Sequence, residues 1–137
     1  MNFKENALTA EVYRGLRASV GWVNLGEEQT ERGLERSLFT LAVFDGEKAV
    51  GMGRIVGDGI YNVICDVVVA PDYQGRGVGT EIVKRLLGYL NGRTPEGGRA
   101  SVELIAETAK EPFYEKLGFE VLPSESSGSG MRLIIKK

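Results

Sequence analysis

From residue 39 onward, short runs of apolar, β-branched and aromatic residues alternate with small clusters of turn formers. Phe39 to Phe44 is rich in β-formers and stops at Asp45-Gly46, which predicts a strand. Ala49 to Val56 predicts a second strand. The turn Gly57-Asp58-Gly59 leads from it into a third, Ile60 to Ala70. The last two should pair as an antiparallel hairpin whose register sets Asn62, not Asp66, opposite Arg54. The run Val63 to Ala70 is apolar on both faces apart from Asp66, the pattern of a central, doubly buried strand. Pro71-Asp72 ends it. A helix is expected from about Gly77 to Leu90, because Ile82, Val83, Leu86, Leu87 and Leu90 repeat at helical spacing.

The first third of the chain reads as helical. Thr9 is placed to cap a helix from Ala10 to Ser19 that ends near Gly21, and a second helix covers Glu27 to Ser37. Beyond Pro95, Gly97 and Gly98 comes a strand, Ala100 to Ala106. Strand, helix, strand makes a right-handed crossover with parallel strands. A short helix, Pro112 to Leu117, stops at Gly118. Ser124 to Gly130 reads as a polar loop and Met131 to Ile135 as a closing strand. The order implies an α/β (α+β) fold, a mixed, mostly antiparallel sheet with helices on its faces.

Composition narrows the functional classes. The 137 residues suit one compact domain over 1–137, large enough to bury a core without disulfides or metal staples. A net charge of −2 gives no basis for a nucleic-acid or anionic-membrane footprint. No apolar run nears the ~20 residues of a membrane span. The N-terminal stretch Met1 to Glu5 lacks the apolar core of a signal peptide. One cysteine, Cys65, leaves no internal disulfide and suits a reducing cytoplasm. Histidine is absent. That removes the usual general base, the Ser/His and Cys/His pairs and the commonest zinc ligand, and no metal site is expected. Chemistry here falls to carboxylates, tyrosine, backbone groups or a cofactor.

Gly75, Gly77 and Gly79 lie where a strand turns into a helix. A helix start exposes unpaired N–H groups and a positive dipole end, and without a Cβ those groups approach an anion closely. Phosphate or pyrophosphate is the natural guest; a plain tight turn is the alternative. A Walker loop would need Lys followed by Ser or Thr after the last glycine, but Gly79 precedes Thr80 and Glu81. The dinucleotide fingerprint needs G-x-G-x-x-G, and the spacing here is G-x-G-x-G.

The segment Asp66 to Gly79 resembles motif A of the GNAT superfamily of N-acetyltransferases: a hydrophobic strand, a Pro-containing turn, then Q/R-x-x-G-x-G/A, with Gln74, Gly77 and Gly79 in the fixed positions. Pro112-Phe113-Tyr114-Glu115-Lys116-Leu117-Gly118-Phe119 is similar to the family's other hallmark, a tyrosine helix ending in Gly-Phe. The resemblance covers roughly Leu41 to Phe119. It implies a sheet splayed open at a cofactor cleft and acetyl-CoA (coenzyme A) as cofactor. The backbone around Gln74, Gly75, Arg76, Gly77, Val78, Gly79 and Thr80 would hold the pyrophosphate. The edge of Val67, Val68 and Val69 would bond the pantetheine amides as a peptide adds to a sheet edge. A Val68 or Val69 N–H would stabilise the oxyanion.

The resemblance also implies direct attack of an amine on the thioester. Tyr114, placed by the family beside the CoA sulfur, would protonate the leaving thiolate, since a phenol of pKa about 10 is a donor at neutral pH; packing against the cofactor is the other reading. Asp66 and Glu103 are the carboxylates in position to take the amine proton, through water or by binding the ammonium; a structural ion pair is the alternative for each. Many relatives carry an asparagine where Glu107-Thr108-Ala109-Lys110 stands here. Arg76 would contact a phosphate or lie in solvent. Cys65 reads as a small buried residue.

The acceptor pocket of such a fold is built by the first two helices, their connection and the late hairpin, here Val20 to Leu25 and Ser124 to Gly130. Trp22 would wall an apolar amine or anchor the core. Glu27, Glu28, Asp66 and Glu103 would favour a cationic amine. The reading is thus transfer of acetyl to a primary amine of a small molecule or peptide, with no nucleic-acid or membrane partner and with a homodimer allowed. A non-catalytic CoA-binding module, a plain interaction domain, and transfer of another acyl group or to a hydroxyl remain as alternatives.

Overall fold

The computed structural model describes residues 1–137, and the chain divides into two compact units, Met1–Ile105 and Ala106–Lys137. The first unit holds a five-stranded sheet. Its strands run β1 (Asn2–Glu5), β2 (Phe39–Asp45), β3 (Lys48–Gly57), β4 (Tyr61–Val69) and β5 (Ser101–Glu103), side by side in that order. β1 to β4 pair antiparallel; β5 joins β4 in parallel. Between β1 and β2 come α1 (Ala10–Ser19) and α2 (Glu27–Glu35); α3 (Val78–Arg93) is the crossover from β4 to β5.

The local chemistry explains the helices. Thr9 accepts the Val12 N–H at 3.2 Å and starts α1 as a side-chain cap. α3 lays Ile82, Val83, Leu86 and Leu90 against the sheet, all buried. The sheet answers with missing side chains. A Cβ on Gly53 would stand 2.8 Å from Ile82 Cγ2 and 3.0 Å from Leu86 Cδ1, so only glycine lets α3 settle this close. α1 covers the opposite face, where Tyr13 and Arg17, four residues apart, both reach the sheet.

Three features depart from the expectations above. β1 extends the sheet in a region read as helical, pairing Phe3 with Val43; four residues are too few to show alternation. The β3–β4 hairpin is offset. Gly57 faces Asn62 and Arg54 faces Cys65, because Asp58 accepts the N–H groups of Ile60 and Tyr61 and makes the turn longer than the glycines suggest. β4 is not buried on both faces throughout: Tyr61 and Val63 are exposed on either side of fully buried Asn62.

In the second unit α4 (Glu111–Glu115) is the one regular element, shorter than the helix expected over Pro112 to Leu117. No strand forms at Met131 to Ile135; Met131, Leu133, Ile134 and Ile135 are exposed. An apolar stretch becomes a strand only with a partner for its backbone, and this one has none.

Candidate active site

β4 carries an irregularity at its centre. Met52 faces Val68 and Arg54 faces Cys65, so one β3 residue, Gly53, stands opposite two of β4, Asp66 and Val67. This is a β-bulge. Asp66 takes the left-handed conformation, φ 57°, which aspartate tolerates better than most side chains.

The bulge aims the Asp66 carboxylate at three donors. Arg17 Nη1 reaches Oδ1 at 2.7 Å, Arg54 Nε reaches Oδ2 at 2.8 Å, and the Tyr13 hydroxyl donates to Oδ2 at 2.9 Å. The Asp66 side chain is only 9% exposed, so these bonds form away from bulk water, where charge-assisted pairing is strong and an unpaired charge costly. Burial first, and then the negative charge of Asp66, push the Tyr13 phenol above its ordinary pKa. Burial likewise pushes the neighbouring Cys65 thiol up to about 11, so it is an inert thiol at neutral pH.

Beside this cluster, α1, α2 and β3 enclose a cavity of about 170 Å³ lined by Tyr13, Arg17, Gln29 and Arg54, with Leu25 and Leu34 as its apolar wall. Trp22 stacks on the Arg17 guanidinium at 5.3 Å. The acidic residues do not gather there. Glu28 pairs with Arg32 on the exposed side of α2, Glu27 is exposed, and Asp66 is neutralised.

Past the bulge β4 has an open edge. Its pairing with β5 covers only Tyr61–Ser101, Asn62–Val102 and Val63–Glu103, so Ile64 to Val69 have no strand beside them on that side. The expected strand Ala100 to Ala106 is cut to three residues, and its pairing with β4 stops at Val63. The Ala70 N–H bonds Val50 on β3 at 2.8 Å. Backbone groups alternate along a strand, so the Val69 N–H and C=O point to the open edge. Gln74 Nε2 occupies that carbonyl at 3.0 Å and ties the loop to the strand end. Val67 faces α3 across Gly53, and Val68 is buried on the other face against Met52.

The loop continues as a 3₁₀ turn, Pro71–Tyr73, and then opens α3. Gly75 and Gly77 both adopt positive φ, 76° and 82°, and Gly77 is the helix N-cap with no side chain satisfying the first turn. Nothing lies within 4 Å of where a Cβ would stand on either glycine. The backbone N–H groups of Val78, Gly79 and Thr80 have no hydrogen-bond partner at the start of a 16-residue helix. That geometry fits a phosphate-bearing ligand. Val78 buries its side chain and offers only its backbone; Arg76 is exposed and stacks on Tyr73 at 4.9 Å.

Glu103 ends β5 with an exposed side chain. In the second unit, Tyr114 packs edge-on to Phe113 and Phe119, with ring centroids 4.9 and 5.8 Å away. Burial, then the charge of Glu107, raise its phenol pKa, so it keeps its proton throughout the neutral range. Sequence reasoning brought out Asp66 but not Tyr13 and Arg17. Their i, i+4 spacing on α1 was the available signal, and it is equally the signal of an ordinary surface pair.

The chain is similar to known proteins in sequence and in fold. The family model described as an acetyltransferase (GNAT) domain matches residues 24–135. A structure from Streptococcus pneumoniae, a GNAT-family acetyltransferase, superposes with a TM-score of 0.81 at 31% identity, covering 99% of this chain and 98% of that one. A Staphylococcus aureus protein termed a probable acetyltransferase superposes with a TM-score of 0.83 at 32% identity, covering 98% of both chains. Serotonin N-acetyltransferase 2, chloroplastic, of Oryza sativa subsp. japonica is 36% identical over 116 residues, which are 81% of this chain. The match spans 56% of that relative's length.

Proposed function

The chain belongs to the GNAT acetyltransferases, and on that premise we propose that it transfers the acetyl group of acetyl-CoA to a primary amine of a small molecule or peptide. The observation that carries this reading is the continuity of β4 and the glycine loop. A strand edge free from Ile64 to Val69 leads, through the turn Pro71–Tyr73 and the glycine loop, into an uncapped helix start. An extended chain bearing amides at one end and a pyrophosphate at the other is complementary to both.

When bound, acetyl-CoA supplies a thioester whose carbonyl carbon an amine nitrogen attacks; the C–N bond forms, the C–S bond breaks, and CoA leaves as a thiol. In this reading the N–H groups of Gly75 to Thr80 hold the pyrophosphate. The Val69 N–H, turned to the open edge, stabilises the carbonyl oxygen as negative charge grows on it. Tyr114, held protonated, gives its proton to the departing sulfur.

For the amine proton we assign Glu103, whose exposed carboxylate meets water that can relay it. Both oxygens of Asp66 already accept from Arg17, Arg54 and Tyr13, which leaves the carboxylate engaged within the fold. We assign Asp66 to holding those arginines in place.

Calorimetric titration with acetyl-CoA, followed by an amine screen for CoA release, tests the reading. Micromolar binding and amine-dependent release are expected. A folded chain that binds no acetyl-CoA overturns it.

A further inference from the structure

We propose that the cavity between α1, α2 and β3 receives an oxyanion, a carboxylate or phosphate group carried by the acceptor amine. The proposal rests on the acetyl-transfer reading above and names the class of acceptor.

Charge is the first ground. Two guanidinium groups, Arg17 and Arg54, meet one carboxylate, Asp66, so the cluster keeps one positive charge. No acidic side chain lines the cavity. The second ground is unused donor capacity. A guanidinium has five N–H donors in a fixed fork. Arg54 spends Nε on Asp66 and Nη1 on Ser37; Arg17 spends Nη1 on Asp66 and Nη2 on the Val23 carbonyl. Arg54 Nη2 and Arg17 Nε make no hydrogen bond, and neither is among the buried atoms left without a partner. Both atoms thus keep accessible surface, and both side chains line the cavity.

Rigidity is the third ground. The bonds to Asp66, Ser37 and Val23 fix both guanidinium planes before any ligand arrives, so little side-chain entropy is lost on binding. Gln29 and the apolar wall of Leu25 and Leu34 complete a site with a charged end and a hydrocarbon flank. At about 170 Å³ it has room for an anionic group and a few carbons. The amine of such an acceptor would project past the Asp66 bulge toward the open edge of β4.

The test uses the full chain with saturating acetyl-CoA and follows CoA release with paired acceptors, 4-aminobutyrate against butylamine and phosphoethanolamine against ethanolamine. The anionic member of at least one pair should show a kcat/KM roughly 10- to 100-fold above its partner, the range of a charge-assisted contact. The winning pair tells carboxylate from phosphate. Gln29→Glu, at an exposed rim position, should bring that ratio toward one with circular dichroism and acetyl-CoA affinity as in the wild type. Ratios near or below one for both pairs overturn the proposal and leave acetyl transfer standing. If acetyl-CoA binds but none of the four amines turns over, fluorescence of Trp22, the single tryptophan, decides. A saturable change with butyrate or inorganic phosphate, weakened in Gln29→Glu, supports the site; no change up to about 10 mM overturns it. Failure to bind acetyl-CoA sinks the acetyl-transfer reading instead.

Discussion

Arg54 bonds Asp66 at 2.8 Å although the residue facing it across the hairpin is Cys65. The bulge makes this possible. It turns Asp66 out of the strand's regular alternation and onto the face where α1 waits with Tyr13 and Arg17. A left-handed aspartate costs on the order of 1 kcal/mol, and three charge-assisted or hydroxyl bonds offset it.

Asp66→Ala should therefore cost more than the loss of one contact. Two arginines, 17% and 18% exposed in their side chains, would lose their common counter-charge. Breaking such a group destabilises by about 3 kcal/mol. Urea unfolding should show a lower midpoint with an unchanged slope; a shift under ~0.5 kcal/mol would mean that water already solvates the cluster.

Gly53→Ala tests the seating of α3. The new methyl would meet Ile82 and Leu86 at 2.8 and 3.0 Å. Overpacking of this kind costs about 1–3 kcal/mol. Because the displaced helix opens at the glycine loop, acetyl-CoA affinity should fall together with the melting temperature. A stability loss without a change in affinity would separate the helix's packing from its N-terminal role.

Much of the fold was legible because its signals were local. Thr9 announced α1, and the spacing of Ile82, Val83, Leu86 and Leu90 announced α3. The paired motifs around Gln74 to Gly79 and Tyr114 pointed to the family. The register of β3 and β4 was not legible, because it depends on Asp58 capturing two N–H groups and on one extra residue at Asp66–Val67, neither visible in alternation. Met131 to Ile135 failed for the opposite reason: its local signal is strong, but a strand needs a neighbour. Arg54, in the neighbouring strand, was a possible partner for Asp66 by sequence, and only the expected register set it opposite Asn62 instead; Arg17 comes from 49 residues away, a distance at which sequence pattern is silent.

Gly77→Glu should abolish acetyl-CoA binding in calorimetry. The glutamate puts a negative charge where the pyrophosphate is expected and a Cβ at φ 82°. Gly77→Ala separates the two effects: it keeps the strain, about 1 kcal/mol, without the charge, and should weaken binding only modestly. Retained affinity in the glutamate variant would sink the pyrophosphate assignment.

Tyr114→Phe should bind acetyl-CoA as the wild type does and lose about 10²- to 10⁴-fold in kcat, the contribution typical of a positioned proton donor. An unchanged rate, with chemistry shown to be limiting, would retire the acid role.

Cys65 offers a pH test. Its thiol titrates near 11 in the folded chain against 9.0 for an ordinary thiol. At pH 8 its thiolate fraction is about a hundredfold lower, so iodoacetamide should label it slowly until denaturant is added. The folded pKa lies above the unfolded one, so the linked stability is present below pH 9 and falls as pH rises toward 11. Rapid labelling of the native chain would show that this part of β4 opens easily.

The extra residue in β4 also governs how that strand can vary. Ahead of it, Cys65 shares a face with Arg54; beyond it, Val68 shares that same face with Met52. Odd positions take the Arg54 face in the first half of the strand and even positions in the second. The halves therefore run out of phase, and each can be tuned without disturbing the parity of the other. Deleting one residue between Cys65 and Val68 would exchange inside for outside over the whole run into the glycine loop. The direction in which that loop is presented is set by a count of residues rather than by the identity of any one of them.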